Sequence, residues 1–159
     1  MKNISMIAAV GKNLELGRGN DLIWHFKDDM KFFKDMTMNH KAIMGLNTYK
    51  SLPGDLPGRH IIVISFEPVD NVEYVTSLEP IIEKYQNSDE EVFICGGASI
   101  YRQFLPYASK MYLTEIAASD NEADTFFPEF DKNEWKKTKI EEHCQKDIKF
   151  VMYLYERIM

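Results

Sequence analysis

Residues 21–36, DLIWHFKDDMKFFKDM, put a carboxylate where a helix should be apolar. At about 100° per residue, Phe26, Met30, Phe32, Phe33 and Met36 share one side and Lys27, Asp28, Lys31, Lys34 and Asp35 the other. Asp29 falls in the middle of the apolar side. An ionised carboxylate on a buried face costs several kcal/mol, roughly, unless it is paired or hydrogen-bonded. Two explanations are open. Asp29 lies in the first turn of its helix, where unpaired backbone N–H groups and the helix dipole favour an acid, although Asp28 could do the same from the polar side. Alternatively, Asp29 faces a cleft and offers two acceptors to a ligand rich in N–H donors.

Four further features could do chemistry. In VFICGGASIYRQFL (92–105) a buried strand, a glycine pair and a helix follow one another. Gly96-Gly97 would let backbone approach a ligand, and the helix start would offer N–H groups to a phosphate, but a plain strand-to-helix turn needs glycine too. Arg59 follows LPG and opens an apolar strand; it can grip a carboxylate through two parallel hydrogen bonds or simply be solvated. Trp24 precedes the helix as a staple or a pocket wall. The glycine-bearing stretch GKNLELGRGND (11–21) is either a lid or a connection.

The elements that must position these residues alternate. ISMIAAV (4–10), KAIMG (41–45), HIIVIS (60–65), VEYVT (72–76), VFICG (92–96) and KMYLTEIA (110–117) read as strands, with helical patterns at 26–37, 47–52, 78–86 and 98–105. Runs 60–65 and 92–96 are nearly all apolar, as in strands covered on both faces. WKKTKIEEHC and DIKFVMYLYER, separated by QKD, read as an antiparallel hairpin at one sheet edge. The expected fold is α/β: one domain over residues 1–159, with a central mixed sheet of about eight strands, mainly parallel, flanked by about four helices. In such sheets ligands bind at the carboxyl ends of the strands, where the 11–21 stretch and the Asp29 helix belong. SLPGDLPGRH (51–60) adds two Pro-Gly turns.

Composition narrows the function classes. The chain has 159 residues, 45% of them hydrophobic, which suits one packed core. The net charge of −6, with no basic stripe, argues against nucleic acid. Cys95 and Cys144 lie far apart, as reduced thiols in a cytoplasm would, and His25, His40, His60 and His143 lack metal-ligand spacing. No apolar run is long enough to cross a bilayer, and MKNISMIAAV alternates like a strand rather than a signal peptide. A cytoplasmic, monomeric protein without metal is expected.

ISMIAAV, WHFKDDMKFF, IMGLNTYKSLP, LPGRHIIVIS, ICGGASIY, YLTEI and EADTFFPEF occur in that order from one end of the chain to the other. Together they resemble dihydrofolate reductase of the single-domain bacterial type. The resemblance implies reduction of 7,8-dihydrofolate with NADPH, folate and antifolate inhibitors as ligands, and a place in one-carbon metabolism. Asp29 would bind the 2-amino group and N3 of the pterin, supported by Thr114 through a hydroxyl and a water. Leu22 and Trp24 would border the catalytic site. Ile7, Ala8, Met30, Phe33, Leu52, Leu56, Cys95 and Tyr101 would wall the pocket, and Arg59 would take the α-carboxylate of the glutamate tail. Ala9 and Leu16 would present backbone to the nicotinamide carboxamide. Gly45, Leu46, Asn47 and Thr48, with Gly96, Gly97, Ala98, Ser99 and Ile100, would cradle the pyrophosphate, and the Gly96–Gly97 peptide would be cis. Two alternatives share the evidence: the pyrimidine reductase of riboflavin synthesis on the same fold, and a non-catalytic folate- or nucleotide-binding protein. Asp29 after Trp24, and Arg59, favour the folate enzyme.

Four positions depart from the family pattern. Leu46 and Ser99 stand where basic residues are common, Phe66 follows Ser65 where a polar residue is usual, and Ile23 replaces a frequent proline before Trp24. A 2′-phosphate carries about two negative charges, and each lost charge-assisted contact is worth roughly 1.5–3 kcal/mol. The preference for NADPH should therefore be eroded and NADH tolerated, unless His60, Asn47, Lys50 or Ser65 compensates. Without proline the 11–23 segment should also be less stiff.

Overall fold

In strand β1 (Ile4–Val10), alternate residues serve two different cores. The computed structural model describes residues 3–18, 21–52 and 56–158. Ile4, Met6 and Val10 pack into one apolar cluster with Ile81, Tyr85, Ile100 and Phe104. Ile7 points the other way, into a cluster with Phe26, Phe32, Phe93, Tyr112 and Phe150. A strand with both faces covered must lie inside a sheet.

The remaining strands of that sheet are β4 (Lys41–Gly45), β5 (His60–Ile64), β6 (Glu73–Val75), β7 (Val92–Ile94), β8 (Lys110–Ile116), β10 (Trp135–Gln145) and β11 (Ile148–Arg157). Their order is β10-β11-β8-β1-β7-β4-β5-β6. From β8 to β6 every neighbouring pair is parallel, while β11 runs antiparallel to both β8 and β10. The expected mixed sheet with its C-terminal hairpin is what forms. Lys146 and Asp147, both at positive φ, make the two-residue turn that joins β10 to β11. The edge strand β10 exposes Lys136, Lys137, Lys139, Glu141 and Glu142, charges that discourage pairing with another chain.

The helices are α1 (Lys27–Thr37), α2 (Leu46–Lys50), α3 (Glu79–Tyr85) and α4 (Ala98–Phe104). Helix α1 covers one face through Phe32, while α3 and α4 contribute to the cluster on the other. Several boundaries differ from expectation by one or two residues: β7 ends at Ile94, leaving Cys95 and Gly96 in the connection, β6 is three residues long, and α2 runs one residue earlier at its start and two shorter at its end. A second difference is larger. Residues 11–21, read as loop, contribute β2 (Glu15–Arg18) and part of β3 (Asp21–Leu22), which form a three-stranded sheet with β9 (Thr125–Phe126). Strands this short, set among glycines and charged residues without an apolar run, carry too little pattern to be seen in a sequence. The first Pro-Gly turn of 51–60, Pro53-Gly54, lies outside the described residues.

Candidate active site

Asp29 sits in the first turn of α1, which has no side-chain cap of its own from Phe26. The cap comes from the far end of the chain: Gln145, on β10, accepts the backbone N–H of Lys27 at 3.1 Å. Below it, Phe26 stacks on Phe150 with ring centroids 4.6 Å apart. The start of α1 is thus seated on the C-terminal hairpin. Asp28 turns outward, 3.5 Å from Nδ1 of His143, and leaves Asp29 facing the sheet.

There Asp29 meets Thr114 of β8, which is 1% exposed and donates its hydroxyl to Oδ1 of Asp29 at 2.5 Å. No lysine, arginine or histidine pairs with Asp29 among the described residues. Burial pushes its carboxyl above the ordinary aspartate value, and the Thr114 bond works against that rise. A half-buried acid with one neutral partner keeps acceptor capacity free for a ligand. Of the two explanations open from the sequence, the helix-start reading therefore accounts for the position of Asp29 but not for its direction.

The carboxyl ends of β1, β4 and β7 converge beside it. The N–H of Cys95 donates to the carbonyl of Ile43 at 2.8 Å, and that of Gly45 to the carbonyl of Gly96 at 2.9 Å. Gly96, at φ +123°, is joined to Gly97 by a cis peptide bond. A Cβ on Gly96 would lie 3.4 Å from Oγ1 of Thr48 and 3.6 Å from the hydroxyl of Tyr101, and one on Gly97 would lie 3.3 Å from Thr48. The pair therefore presents bare backbone between α2 and α4. The Tyr101 hydroxyl donates to the carbonyl of Ile7 at 2.6 Å, tying α4 to β1. Burial drives the Tyr101 phenol well above its usual value, with Cys95 and Asp29 adding to the effect. Burial likewise pushes the Cys95 thiol up to about 12, opposed by nearby Arg59. Three titratable groups shifted in the same direction mark a site of low polarity.

The other expected residues divide between the two faces. Ile7, Ala9, Trp24, Phe33 and Cys95 belong to the cluster under α1, whereas Ala8, Leu16, Ala98, Ile100 and Tyr101 belong to the opposite one. Met30, on the apolar arc of α1 by angle, is 59% exposed at the helix surface. Leu52, Leu56 and Arg59 line a cleft of about 630 Å³ with Tyr49, Lys50 and His60. Nη1 of Arg59 lies 3.5 Å from Oγ1 of Thr37 at the end of α1, while its buried Nε has no partner among the described residues. The side chain of Leu22 lies outside the described residues, although its backbone belongs to β3.

At the outer rim, Leu46 is half-buried, Asn47 and Ser99 are exposed, and Phe66 is 95% exposed. Two of the possible compensating groups are engaged elsewhere. The Ser65 hydroxyl donates to the carbonyl of Glu67 and accepts its N–H, and Nε2 of His60 sits 2.6 Å from Glu73. The sequence reading missed two residues that shape the site: Gln145, which caps α1, and Glu15, which is 2% exposed in β2. Glu15 left one signal, an acid between Leu14 and Leu16.

Comparison with known proteins gives a consistent picture. The family model described as dihydrofolate reductase matches residues 3–157. The dihydrofolate reductase of Bacillus subtilis (strain 168) is 36% identical over 158 residues, 94% of this chain and 93% of that protein. The dihydrofolate reductase of Neisseria gonorrhoeae is 42% identical over 140 residues, 86% and 85% of the two chains. That of Staphylococcus haemolyticus is 36% identical over 162 residues, covering 98% and 96%. With the carboxylate, the glycine pair and the mixed sheet all in place along a match of this extent, the chain belongs to the dihydrofolate reductase family.

Proposed function

We propose how the residues of the site divide the work of the family's reaction, the reduction of 7,8-dihydrofolate to 5,6,7,8-tetrahydrofolate in one-carbon metabolism. One observation carries the reading: Asp29 is half-buried and held by Thr114 alone among the described residues. Its free acceptors suit the 2-amino group and N3 of a pterin, which supply the donors that the protein itself withholds. Arg59, with a buried Nε lacking a partner among the described residues, suits the carboxylate of the glutamate tail. Ile7, Phe33 and Cys95 form the apolar wall between the two ends.

The bare backbone at Gly96 and Gly97 beside Thr48 fits a close-packed dinucleotide, so the residues present are compatible with a nicotinamide cofactor. That cofactor, when bound, supplies the hydride received at pterin C6. Gly45, Thr48, Gly96 and Gly97 would hold its pyrophosphate, and backbone at Ala9 and Leu16 its carboxamide. The family resemblance implies NADPH; in this chain Leu46, Phe66 and Ser99 bring no cation to the rim, so the preference over NADH is eroded.

Reduction also requires a proton at pterin N5. Asp29, bound at the far edge of the ring, raises the basicity of N5 through its negative charge, and water entering past Leu22 and Trp24 delivers the proton. Packing the ring between apolar walls excludes other water and fixes the approach to C6. The test is an absorbance assay with dihydrofolate and each nicotinamide cofactor in turn. Turnover with both is expected. Dihydrofolate binding without oxidation of either cofactor would leave only a binding protein.

A further inference from the structure

Glu15 is 2% exposed, carries a carboxylate, and plays no part in the reaction as described above. Its neighbours Leu14 and Leu16 belong to an apolar cluster, whereas the Glu15 side chain meets backbone N–H groups. A buried acid is costly unless its oxygens are used, and both are. Oε1 accepts the N–H of Asn13 at 2.7 Å, and Oε2 accepts the N–H of Asp120 at 2.8 Å, from a segment 105 residues away. Burial pushes the carboxyl up, and these backbone donors outweigh it and hold Glu15 below the usual glutamate value.

The same junction continues along the backbone. The N–H of Lys12 donates to the carbonyl of Ala118 at 2.9 Å, and that of Phe127 to the carbonyl of Leu14 at 2.8 Å. Between the two segments lies Gly11. A Cβ there would stand 2.5 Å from Oε1 of Glu15, 2.6 Å from Cη2 of Trp24 and 2.9 Å from the carbonyl oxygen of Ala118. The carboxylate, the indole and the 118 backbone therefore close on one point that only glycine leaves open.

We infer that Glu15 is a positioning residue for the reaction: its carboxylate bolts residues 11–18 to residues 117–127 and, across Gly11, fixes the seat of the Trp24 indole. The inference rests on the reading that Trp24 borders the catalytic site. Glu15 touches neither pterin nor cofactor in this reading, so its loss affects turnover rather than substrate binding.

The test compares Glu15→Leu and Glu15→Gln with the wild type. Leucine fills the space without acceptors, and the N–H groups of Asn13, which is exposed, and Asp120, which is half-buried, can turn to water. Glutamine preserves the shape but keeps a single acceptor oxygen. The leucine variant is expected to lose about tenfold in kcat, with KM for dihydrofolate within about twofold, because misplacing a group at a reaction centre acts on the chemical step. Hydrogen exchange at the amides of Asn13 and Asp120 should quicken, and Trp24 emission, read in a Trp135→Phe background, should shift. The glutamine variant should fall between. A leucine variant with wild-type kcat and unchanged Trp24 emission would overturn the inference, as would a loss of kcat with both amides as protected as before. Should leucine prevent folding, the glutamine variant carries the same readouts. Failure of the wild type to reduce dihydrofolate would instead overturn the reading of the site, and the amide and emission measurements would still sustain or sink the clamp.

Discussion

The hydroxyl of Thr114 donates to Oδ1 of Asp29 at 2.5 Å, joining β8 to the first turn of α1 across 85 residues of sequence. It gives the half-buried carboxylate one neutral partner and turns it toward the sheet. Asp29→Asn should therefore keep the fold, since the amide oxygen still accepts from Thr114, but lose about a hundredfold or more in turnover at pH 7. Partial recovery in acid is expected, because solvent then protonates N5 without help from the carboxylate. Single-turnover kinetics across pH would measure this, and unchanged turnover at neutral pH would refute the role of Asp29.

The same substitution makes a stability prediction of fixed sign. Burial raises the Asp29 carboxyl in the folded protein above its ordinary value. Between those two values the folded state binds more protons than the unfolded one, so the contribution of this group is full in acid and is lost as pH rises through the raised value. Removing the charge removes that loss. Ligand-free Asp29→Asn should melt above the wild type at pH 7, and the gap should close toward pH 4. A thermal melt series in which the variant is less stable at neutral pH would contradict the burial of the charge.

Thr114→Val keeps the shape of the side chain and deletes the donor. A hydrogen bond to a charged group contributes roughly 1.5–3 kcal/mol, so folate affinity should fall about tenfold. The Thr114 bond lowers the Asp29 carboxyl; without it the carboxyl rises further, and the acid limb of folate binding should move to higher pH. Titration of folate affinity against pH would show the displacement or its absence.

Arg59→Gln should raise KM for dihydrofolate by about 10- to 100-fold, the loss of one charge-assisted contact, while sparing kcat. A pterin lacking the glutamate tail should be indifferent to the change. Because Nε of Arg59 is buried and has no partner among the described residues, the variant should be at least as stable as the wild type by thermal melt. An equal effect on both substrates would place the tail elsewhere.

At the cofactor rim, Leu46→Arg restores a cation at the first residue of α2. The ratio of kcat/KM for NADPH to that for NADH should rise by about tenfold or more. A ratio that was already high in the wild type, and unmoved by the arginine, would show that other residues read the 2′-phosphate.

Two features of the candidate site left a local signal in the sequence. Asp29 violates the 3.6-residue pattern of its own helix, and a violated pattern is local information. The glycine pair at the end of an apolar strand is local too. The helix-start explanation and the ligand explanation for Asp29 could not be separated at that level, because the difference lies in Thr114, Gln145 and His143, all distant in the chain. Met30 holds its place on the apolar arc by angle and is 59% exposed, a degree of burial that angle alone does not fix. The three-stranded sheet of β2, β3 and β9 went unread because its strands hold two to four residues each and, unlike β7, lie in no apolar run.

The role given to Arg59 came from the family resemblance; composition and periodicity by themselves determined the class of fold and most strands and helices of the main sheet, and they marked Asp29 and the glycine pair as local exceptions. Those are properties of neighbours in sequence, where side-chain period and turn chemistry act. Only the tertiary structure decided what each polar group faces: Thr114 rather than a cation at Asp29, Gln145 at the start of α1, and two backbone amides from separate segments at Glu15. A hydrogen bond is made at about 3 Å whatever the separation along the chain, and pattern in one dimension carries no record of it.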